Sequence, residues 1–340
     1  MKKYLLPRLG KFYKANMHTH TTVSDGKLTP EEAKAVFKAH GYSVVAFTDH
    51  EVMVPHPELR DEDFLPITSY EISMNGKWNP FEKCYHFCLY SPEEMRVTSS
   101  GFSERRAWGN AKNYITDEMR SVQCEHRDYS RESVQNVIDA ANAEGFLVSY
   151  NHPGWSNQDF TDYTGLKGVW GVEWHNTGCD RIAYVEGFRP IIDLLHEGER
   201  QVYPLATDDC HGIGDYCGGW IQIKARSLDY ATVFEALKRG DFYSSTGPEI
   251  KSLYIEDGIL HVKTSAAVQI AVASDHRWTS VKNADGKLLR GGEFNLAKLI
   301  ENAAIAPEGR NVWLRVQVTD KYGKCARTRA YFLDELGLIK

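Results

Sequence analysis

Histidine and carboxylate side chains recur at the ends of predicted strands through the first two thirds of the sequence. The segments that carry them are Met17–His20, Thr48–His50, Tyr70–Glu71, Tyr85–Phe87, Asn151–Pro153 and Asp208–His211. Because the carboxyl ends of neighbouring strands meet at one rim of a barrel, we expect these side chains to converge. Imidazole and carboxylate are ligands that suit zinc, manganese and iron. The sequence therefore predicts a fold that gathers strand ends around a multinuclear metal site.

The chain up to about residue 247 alternates predicted strands with predicted helices. Thr29, Pro30 and Glu32 form a helix start with a capping box, and an unbroken apolar run at 43–47 is typical of a strand buried on both faces. Further strands are predicted near 13–18, 66–72, 83–90, 146–150, 168–174, 202–207 and 220–224, with helices near 130–143, 181–197 and 230–239. Pro190 is expected to kink or divide the helix over 181–197.

This alternation predicts an α/β fold with a parallel sheet closed, or nearly closed, into a barrel. An open doubly wound sheet is the alternative, although no glycine-rich dinucleotide loop follows the first strand. Residues 91–130 interrupt the rhythm with five arginines, Trp108 and Tyr114. This insertion is expected either to cover the rim that carries the site or to be a solvated surface excursion.

Residues 248–340 follow a different pattern. Short alternating segments, with a hairpin signal at Asp257-Gly258, predict a small, mostly antiparallel β-sandwich. The expected domains are therefore a metal-site barrel over 1–247 and an accessory β-sandwich over 248–340.

Composition narrows the classes of function. The chain has 340 residues and a formal net charge of −6, which gives no reason to expect a stable nucleic-acid complex. No apolar run is long enough for a membrane span, and the start of the chain does not resemble a signal peptide. Seven cysteines without a CxxC pair suit a reducing compartment, so we expect a cytoplasmic protein with a small-molecule substrate.

Nine side chains are the candidate metal ligands: His18, His20, Asp25, His50, Glu71, His86, His152, Asp209 and His211. His18 and His20 stand two apart on an extended strand end, so they point to the same side. Glu71 is the candidate bridge between two cations. Six other histidines, His40, His56, His126, His196, His261 and His276, are expected to be ordinary surface or hydrogen-bonded residues.

The order of these motifs resembles that of the PHP (polymerase and histidinol phosphatase) family. The pattern begins with His18-Thr19-His20 and Asp25, continues with Thr48-Asp49-His50 and Glu71, passes through His86 and His152, and closes with Asp209-Cys210-His211. The segment 242–248, followed by β structure, resembles the two-domain bacterial branch, which includes carbamate and amide hydrolases. The resemblance covers about residues 13–247 and implies a distorted (β/α)7 barrel with up to three divalent metal ions.

The resemblance also implies a distribution of ligands. One metal would take His18, His20, Glu71 and Asp209; a second would share Glu71 and add His86 and His152; a third would take Asp25, His50 and His211. Glu71, His20 and Asp209 would be central to catalysis. Glu173 and His175 lie in a segment that resembles one near the substrate in the family, and are expected as substrate contacts or as residues behind the ligands. Arg127 or Arg106, from the insertion, is expected to clamp the substrate.

These expectations describe a metal-dependent hydrolase that uses two or three zinc, manganese or iron ions. We expect a phosphoesterase that acts on a small phosphorylated molecule through a metal-activated hydroxide. An amide, carbamate or ester hydrolase is the first alternative, because the same hydroxide can attack a carbonyl group. A metal-stabilised binding module without turnover is the second alternative.

Overall fold

The computed structural model describes residues 2–75, 79–122, 124 and 126–339, so the insertion and both predicted domains include a few residues outside the description. The strands are Lys2–Tyr4 (β1), Lys11–Asn16 (β2), Tyr42–Phe47 (β3), Leu65–Met74 (β4), Tyr85–Tyr90 (β5), Leu147–Tyr150 (β6), Gly171–Asn176 (β7), Tyr203–Thr207 (β8), Trp220–Ala225 (β9), Phe242–Ser245 (β10), Ile250–Glu256 (β11), Ile259–Ala267 (β12), Gln269–Ser274 (β13), Thr279–Asn283 (β14), Leu289–Asn295 (β15), Trp313–Thr319 (β16), Cys325–Thr328 (β17) and Tyr331–Phe332 (β18). The α-helices are Pro30–Ala39 (α1), Asp117–Arg120 (α2), Arg131–Ala143 (α3), Phe160–Tyr163 (α4), Thr177–Arg181 (α5), Arg189–His196 (α6), Tyr230–Arg239 (α7) and Ala297–Ala304 (α8).

A large mixed sheet forms the centre of the α/β fold, with strand order β14-β13-β16-β17-β10-β9-β2-β3-β4-β5-β6-β7-β8, and β18 pairs with β16. Strands β2, β3 and β4 run parallel, as do β6, β7 and β8. Strand β5 is antiparallel to both β4 and β6, which corrects the wholly parallel prediction. The connection from Met74 to Tyr85 is shorter than the dozen or more residues that a parallel crossover needs.

The predicted closed barrel is not confirmed, because the hydrogen-bonded path of strands ends at β8. The two edges of the β2–β8 segment nevertheless meet just beyond the strand ends. Thr19 and Cys210 form an isolated parallel bridge there. The His20 amide donates to the Cys210 carbonyl at 3.1 Å, and the Asp209 amide donates to the His18 carbonyl at 2.9 Å. The sheet is therefore drawn together at the end that carries the histidines.

The helices follow local sequence signals. The capping box at the start of α1 is present as predicted, with Thr29 accepting from the Glu32 amide. The prediction of one helix over 181–197 was wrong for its first half, because α6 begins only at Arg189. Pro190 lies in the first turn of that helix, where its missing N–H costs no hydrogen bond. None of the helices in the described ranges is long and apolar enough to cross a membrane.

The strands after residue 248 lie in two antiparallel layers. Strands β11, β12 and β15 form a second sheet together with β1, and strands β13, β14, β16 and β17 continue the large sheet through the pairing of β17 with β10. Apolar side chains from both layers share one core, to which Leu5 and Leu6 also contribute. The division into 1–247 and 248–340 stays a prediction, and the first few residues pack with the C-terminal strands.

The contribution of the N-terminal segment to that core can be measured. Leu6 is buried, so Leu6→Ala is expected to lower the free energy of unfolding by about 2–4 kcal/mol through lost burial and a residual cavity. Urea unfolding followed by circular dichroism is the measurement. Leu9 is 62% exposed, so Leu9→Ala is the matched control and is expected to change stability by less than about 0.5 kcal/mol. Equal stability of the two variants would contradict this packing.

Candidate metal centre

Every one of the nine candidate ligands lies at the same end of the sheet. His18 and His20 follow β2, His50 follows β3, and Glu71 and His86 lie within β4 and β5. His152 follows β6, and Asp209 and His211 follow β8. Their possible ligand atoms fall into overlapping groups within 4.8 Å: His20 with Asp25, His50 and His211; His18 with His20 and Asp209; and Glu71 with His86 and His152. Two further groups join His18 to His152 and Glu173, and His18 to Glu71 and Cys88.

Glu71 lies at the centre of this arrangement and is almost completely buried. Its Oε1 lies 3.3 Å from a ring nitrogen of each of three histidines, His18, His86 and His152. Its Oε2 lies 3.3 Å from His20 Nε2 and 3.2 Å from His50 Nδ1. One carboxylate thus faces five imidazoles.

Asp209 and Asp25 face the same histidines from two other directions. Asp209 Oδ1 lies 3.1 Å from His20 Nε2 and 3.3 Å from His18 Nε2. Asp25 Oδ2 lies 3.3 Å from His211 Nε2, and Asp25 Oδ1 lies 3.8 Å from His20 Nδ1. The two ring nitrogens of His20 therefore face two ligand groups, whereas the family resemblance places His20 in the first alone.

The donor atoms fit divalent cations. Four buried atoms in the centre have no hydrogen-bond partner: His20 Nδ1, Glu71 Oε2, His86 Nδ1 and Asp209 Oδ1. His18 Nε2 and His20 Nε2 also face each other at 3.1 Å. Buried polar atoms are normally paired with a hydrogen-bond partner or another ligand. Cations bound by this set of imidazoles and carboxylates would satisfy these atoms.

Strong electrostatic coupling runs through the centre. Burial disfavours charge on His20, but the adjacent carboxylates of Asp209 and Glu71 outweigh it and raise the pKa of His20 to about 10. Burial likewise opposes ionisation of Glu71 and Asp209, yet neighbouring imidazoles hold the pKa of both carboxyls well below the ordinary value. Burial and the charge of His20 together lower the pKa of His50 to about 3. Protons and metal ions compete for these nitrogens, so metal uptake is expected to release protons.

Glu173, predicted as a substrate contact or as a residue behind the ligands, lies behind His18. Its Oε1 accepts from His18 Nδ1 at 2.7 Å and from the Thr207 hydroxyl at 2.6 Å. Its Oε2 accepts from the His152 amide and from Asn176 Nδ2, both at 2.9 Å. A carboxylate that accepts from Nδ1 fixes the ring and turns Nε2 toward the centre. Glu173 is therefore a positioning residue for His18.

Arg127 and His175, two of the predicted substrate contacts, are held by other residues of the chain. The Arg127 guanidinium is buried against the Glu51 carboxylate, and its Nη1 donates to the Gly101 carbonyl at 2.7 Å. His175 Nε2 lies 3.1 Å from the Thr177 hydroxyl. Neither side chain is among the described residues that line the cleft. Arg106, the other candidate clamp, donates to Asn75 Oδ1 at 2.6 Å.

Several buried carboxylates that hold the loops were not predicted. Asp49 accepts from the amides of Thr21 and Ser24 at 2.7 and 3.1 Å, and so shapes the turn between His20 and Asp25. Its position inside the motif Thr48-Asp49-His50 was the sequence signal that could have indicated this role. Asp208 accepts from three successive amides, those of Cys217, Gly218 and Gly219, at 2.7–2.8 Å. Asp208 therefore points away from the histidines, while its neighbour Asp209 points toward them.

A cleft of about 640 Å³ opens above the centre, with His50, Glu71, His86, His152, Asp209 and His211 among its lining residues. The insertion covers one side of it. Phe102, Ala111 and Met119 from the insertion share an apolar cluster with Val23 and Val52 from the strand-end loops. The ring of Trp108, also from the insertion, lies 5.4 Å from that of His50. The described part of the insertion is thus packed onto the rim rather than extended into solvent.

Replacing the central carboxylate tests its role as a ligand. Glu71→Gln removes a buried negative charge from between five imidazoles, so we expect metal affinity to fall by about 10-fold or more. Metal content per chain after dialysis, measured by mass spectrometry of the elements, reports this. Glu82 lines the same cleft outside the ligand groups, so Glu82→Gln is the matched control and should keep the wild-type content. Full occupancy in the Glu71 variant would contradict the bridging role.

The ion pair of Arg127 with Glu51 makes a separate prediction about stability. Both side chains are 1% exposed, so Arg127→Met leaves a buried carboxylate without its partner and should lower the free energy of unfolding by about 3–5 kcal/mol. The double variant Arg127→Met/Glu51→Gln removes that charge and should be less destabilised than the single variant. Urea unfolding of all three proteins measures both differences. A loss of less than about 1 kcal/mol in the single variant would be evidence against the pair.

No family model and no curated protein matches the chain. Solved structures with a similar fold include a two-domain protein from Bacteroides vulgatus, described as containing a predicted PHP-like metal-dependent phosphoesterase, with a TM-score of 0.44, 13% identity and 97% of each chain covered. An amidohydrolase from Chromobacterium violaceum, with bound sulfate and no metal, has a TM-score of 0.43 and 14% identity over 67% of this chain and 96% of its own. The description of the first structure names the family that the sequence motifs resemble. At these TM-scores neither likeness bears on the chemistry of this centre.

Proposed function

We propose that the protein is a metal-dependent hydrolase that cleaves a phosphoester bond in a small molecule. The observation that carries this proposal is the overlap of ligand groups around the buried Glu71 at the floor of an open cleft. Groups that share ligands place their cations close together, which is the arrangement that stabilises both the attacking and the leaving oxygen in a displacement at phosphorus. Zinc, manganese or iron suits this donor set, in two or three positions.

Divalent ions held there would supply Lewis-acid activation of water and neutralise negative charge on the transferred group. Side chains of the chain itself hold the candidate ligands in position. Asn151 Nδ2 donates to Glu71 Oε1 at 3.0 Å, and Asn176 Nδ2 donates to Asp209 Oδ2 at 3.1 Å. Because each amide fixes one carboxylate oxygen, the other, Glu71 Oε2 or Asp209 Oδ1, stays directed at the histidines. Glu71 and His20 each belong to two ligand groups, and Asp209 joins His18 and His20 in one; we assign these three the central roles.

We also propose that β2–β8 form a distorted (β/α)7 barrel and that residues 248–340 form an accessory β-sandwich. The bridge between Thr19 and Cys210 supports the barrel, since it joins the two ends of the seven-strand path. The antiparallel pairing of β11, β12 and β15 and the shared apolar core support the sandwich.

Hydrolysis of an amide, carbamate or ester is the second candidate, and one observation favours it. The described residues that line the cleft include no arginine, and their one lysine, Lys83, is paired with Asp159 and Asp162. Phosphate groups are commonly held by arginine in addition to metals. A carbonyl substrate needs no such clamp.

Two chromogenic esters separate the candidates. Protein loaded with manganese, zinc or iron is expected to hydrolyse p-nitrophenyl phosphate, and Glu71→Gln should reduce the rate by about 100-fold or more because it disrupts the shared ligand position. Glu82→Gln is the control for the cleft wall. Metal-dependent release from p-nitrophenyl acetate alone would replace phosphoester cleavage with carbonyl hydrolysis. No turnover of either ester by fully loaded protein would favour a binding module.

A further inference from the structure

The walls of the cleft carry two tryptophans, whereas its floor carries the histidines and carboxylates of the candidate metal centre. From the walls we propose a substrate class. The substrate joins its reacting group to a planar aromatic portion that carries no further negative charge. This inference rests on the proposed function in one respect, namely that the reacting group binds at the metal end of the cleft. It goes further in assigning the remainder of the substrate to two tryptophans.

Trp108 and Trp155 flank the centre on different sides. The ring centroid of Trp108 lies 5.4 Å from that of His50, and that of Trp155 lies 5.5 Å from His86 and 5.1 Å from His152. Trp108 is 47% exposed although it sits beside a largely buried polar centre. Exposed aromatic surface next to a polar floor marks a place where apolar ligand surface is buried on binding.

The two tryptophans are held in place by their own segments. The amides of Gly154 and Trp155 donate to the buried Glu186 carboxylate at 2.8 and 3.0 Å. On the other side, Asn110 Nδ2 donates to the Thr22 carbonyl at 3.1 Å, and Ala111 is buried in the cluster that fastens the insertion to the rim. Since both backbone segments are anchored, the aromatic walls are formed before a ligand arrives.

The charged side chains of the wall limit the charge that the aromatic portion of the substrate can carry. Lys83 is the one lysine or arginine among the described lining residues, and Asp159 and Asp162 occupy it at 2.8 and 2.7 Å. Glu82 and Asp215 add carboxylates to the lining, and Arg181 pairs with Asp215 at 3.4 Å. Among the described lining residues, a second anionic group on the ligand would therefore meet carboxylates and find no lysine or arginine that is not already paired. One anionic or oxyanion-forming group at the floor and a neutral ring against the tryptophan side chains is the combination that fits.

Calorimetric binding to metal-loaded protein tests this without turnover. Phenylphosphonate is compared with methylphosphonate, and benzohydroxamate with acetohydroxamate, whose metal-binding group does not depend on which bond the protein cleaves. The aromatic member of each pair is expected to bind about 5-fold more tightly or better, from ring packing against tryptophan. A carboxylate on the ring, in 4-phosphonobenzoate, is expected to weaken binding relative to phenylphosphonate.

Substitutions of the two tryptophans test whether the preference for aromatic ligands comes from the walls. Trp108→Ala and Trp155→Ala should each reduce the aromatic preference by at least about 2-fold while leaving methylphosphonate binding and metal content unchanged. Tyr322 is 76% exposed in a turn outside the cleft, so Tyr322→Ala is the matched control. Equal affinity within both ligand pairs, or an equal loss for both members in the tryptophan variants, would overturn the inference. Binding of neither pair would also overturn it.

The two proposals fail in different ways. An aromatic preference among hydroxamates without binding of either phosphonate would contradict phosphoester cleavage and support the inference. Phosphonate binding without an aromatic preference would support phosphoester cleavage and contradict the inference.

Discussion

The structure depends on the burial of one carboxylate, that of Glu71, among five imidazoles. A buried charge is costly unless its partners are close and fixed, and here the partners come from the ends of three strands, β2, β3 and β6, and from the neighbouring strand β5. No local segment can supply this geometry. The bridge between Thr19 and Cys210 therefore matters as much as the ligands, because it brings the segments after β2 and β8 together at the floor of the cleft.

A second set of buried carboxylates holds the loops in which the ligands sit. Asp49, Asp208, Glu51 and Glu186 each accept backbone amides, respectively from the turn after His20, from 217–219, from Ser73 and from the loop after His152. An ionised carboxylate that accepts amides makes strong hydrogen bonds and leaves the loop little freedom. The ligands are thus positioned chiefly by acids that do not touch the metal site, and these acids explain how short loops without regular structure keep a precise arrangement.

The sequence predicted which side chains converge better than it predicted the residues that support them. His18, His50 and His152 were found because a polar residue directly after a buried strand has one place to go. The surroundings of Arg127 were not predicted, since they depend on Glu51, 76 residues away. Glu173 was predicted with two alternatives, a substrate contact or a residue behind the ligands, and its contact with His18 Nδ1 fits the second. The direction of β5 follows from the length of a loop, which apolar periodicity does not report. The pairing of β1 with β11 joins residues about 250 apart and leaves no local signal.

The floor and the walls of the cleft carry different side chains, and in the proposed function each recognises a different part of the substrate. The floor gathers histidines and carboxylates, which select the reacting group by its ability to share a cation. The wall offers tryptophan faces and acidic side chains, and its Lys83 is already occupied by Asp159 and Asp162. In the function and substrate class proposed above, the bond that is cleaved and the identity of the remaining ligand are therefore set by different residues. Substitution of the Trp108 or Trp155 side chain leaves the backbone contacts of both segments in place, so within this proposal it changes the wall of the cleft while the loop after His152 stays anchored.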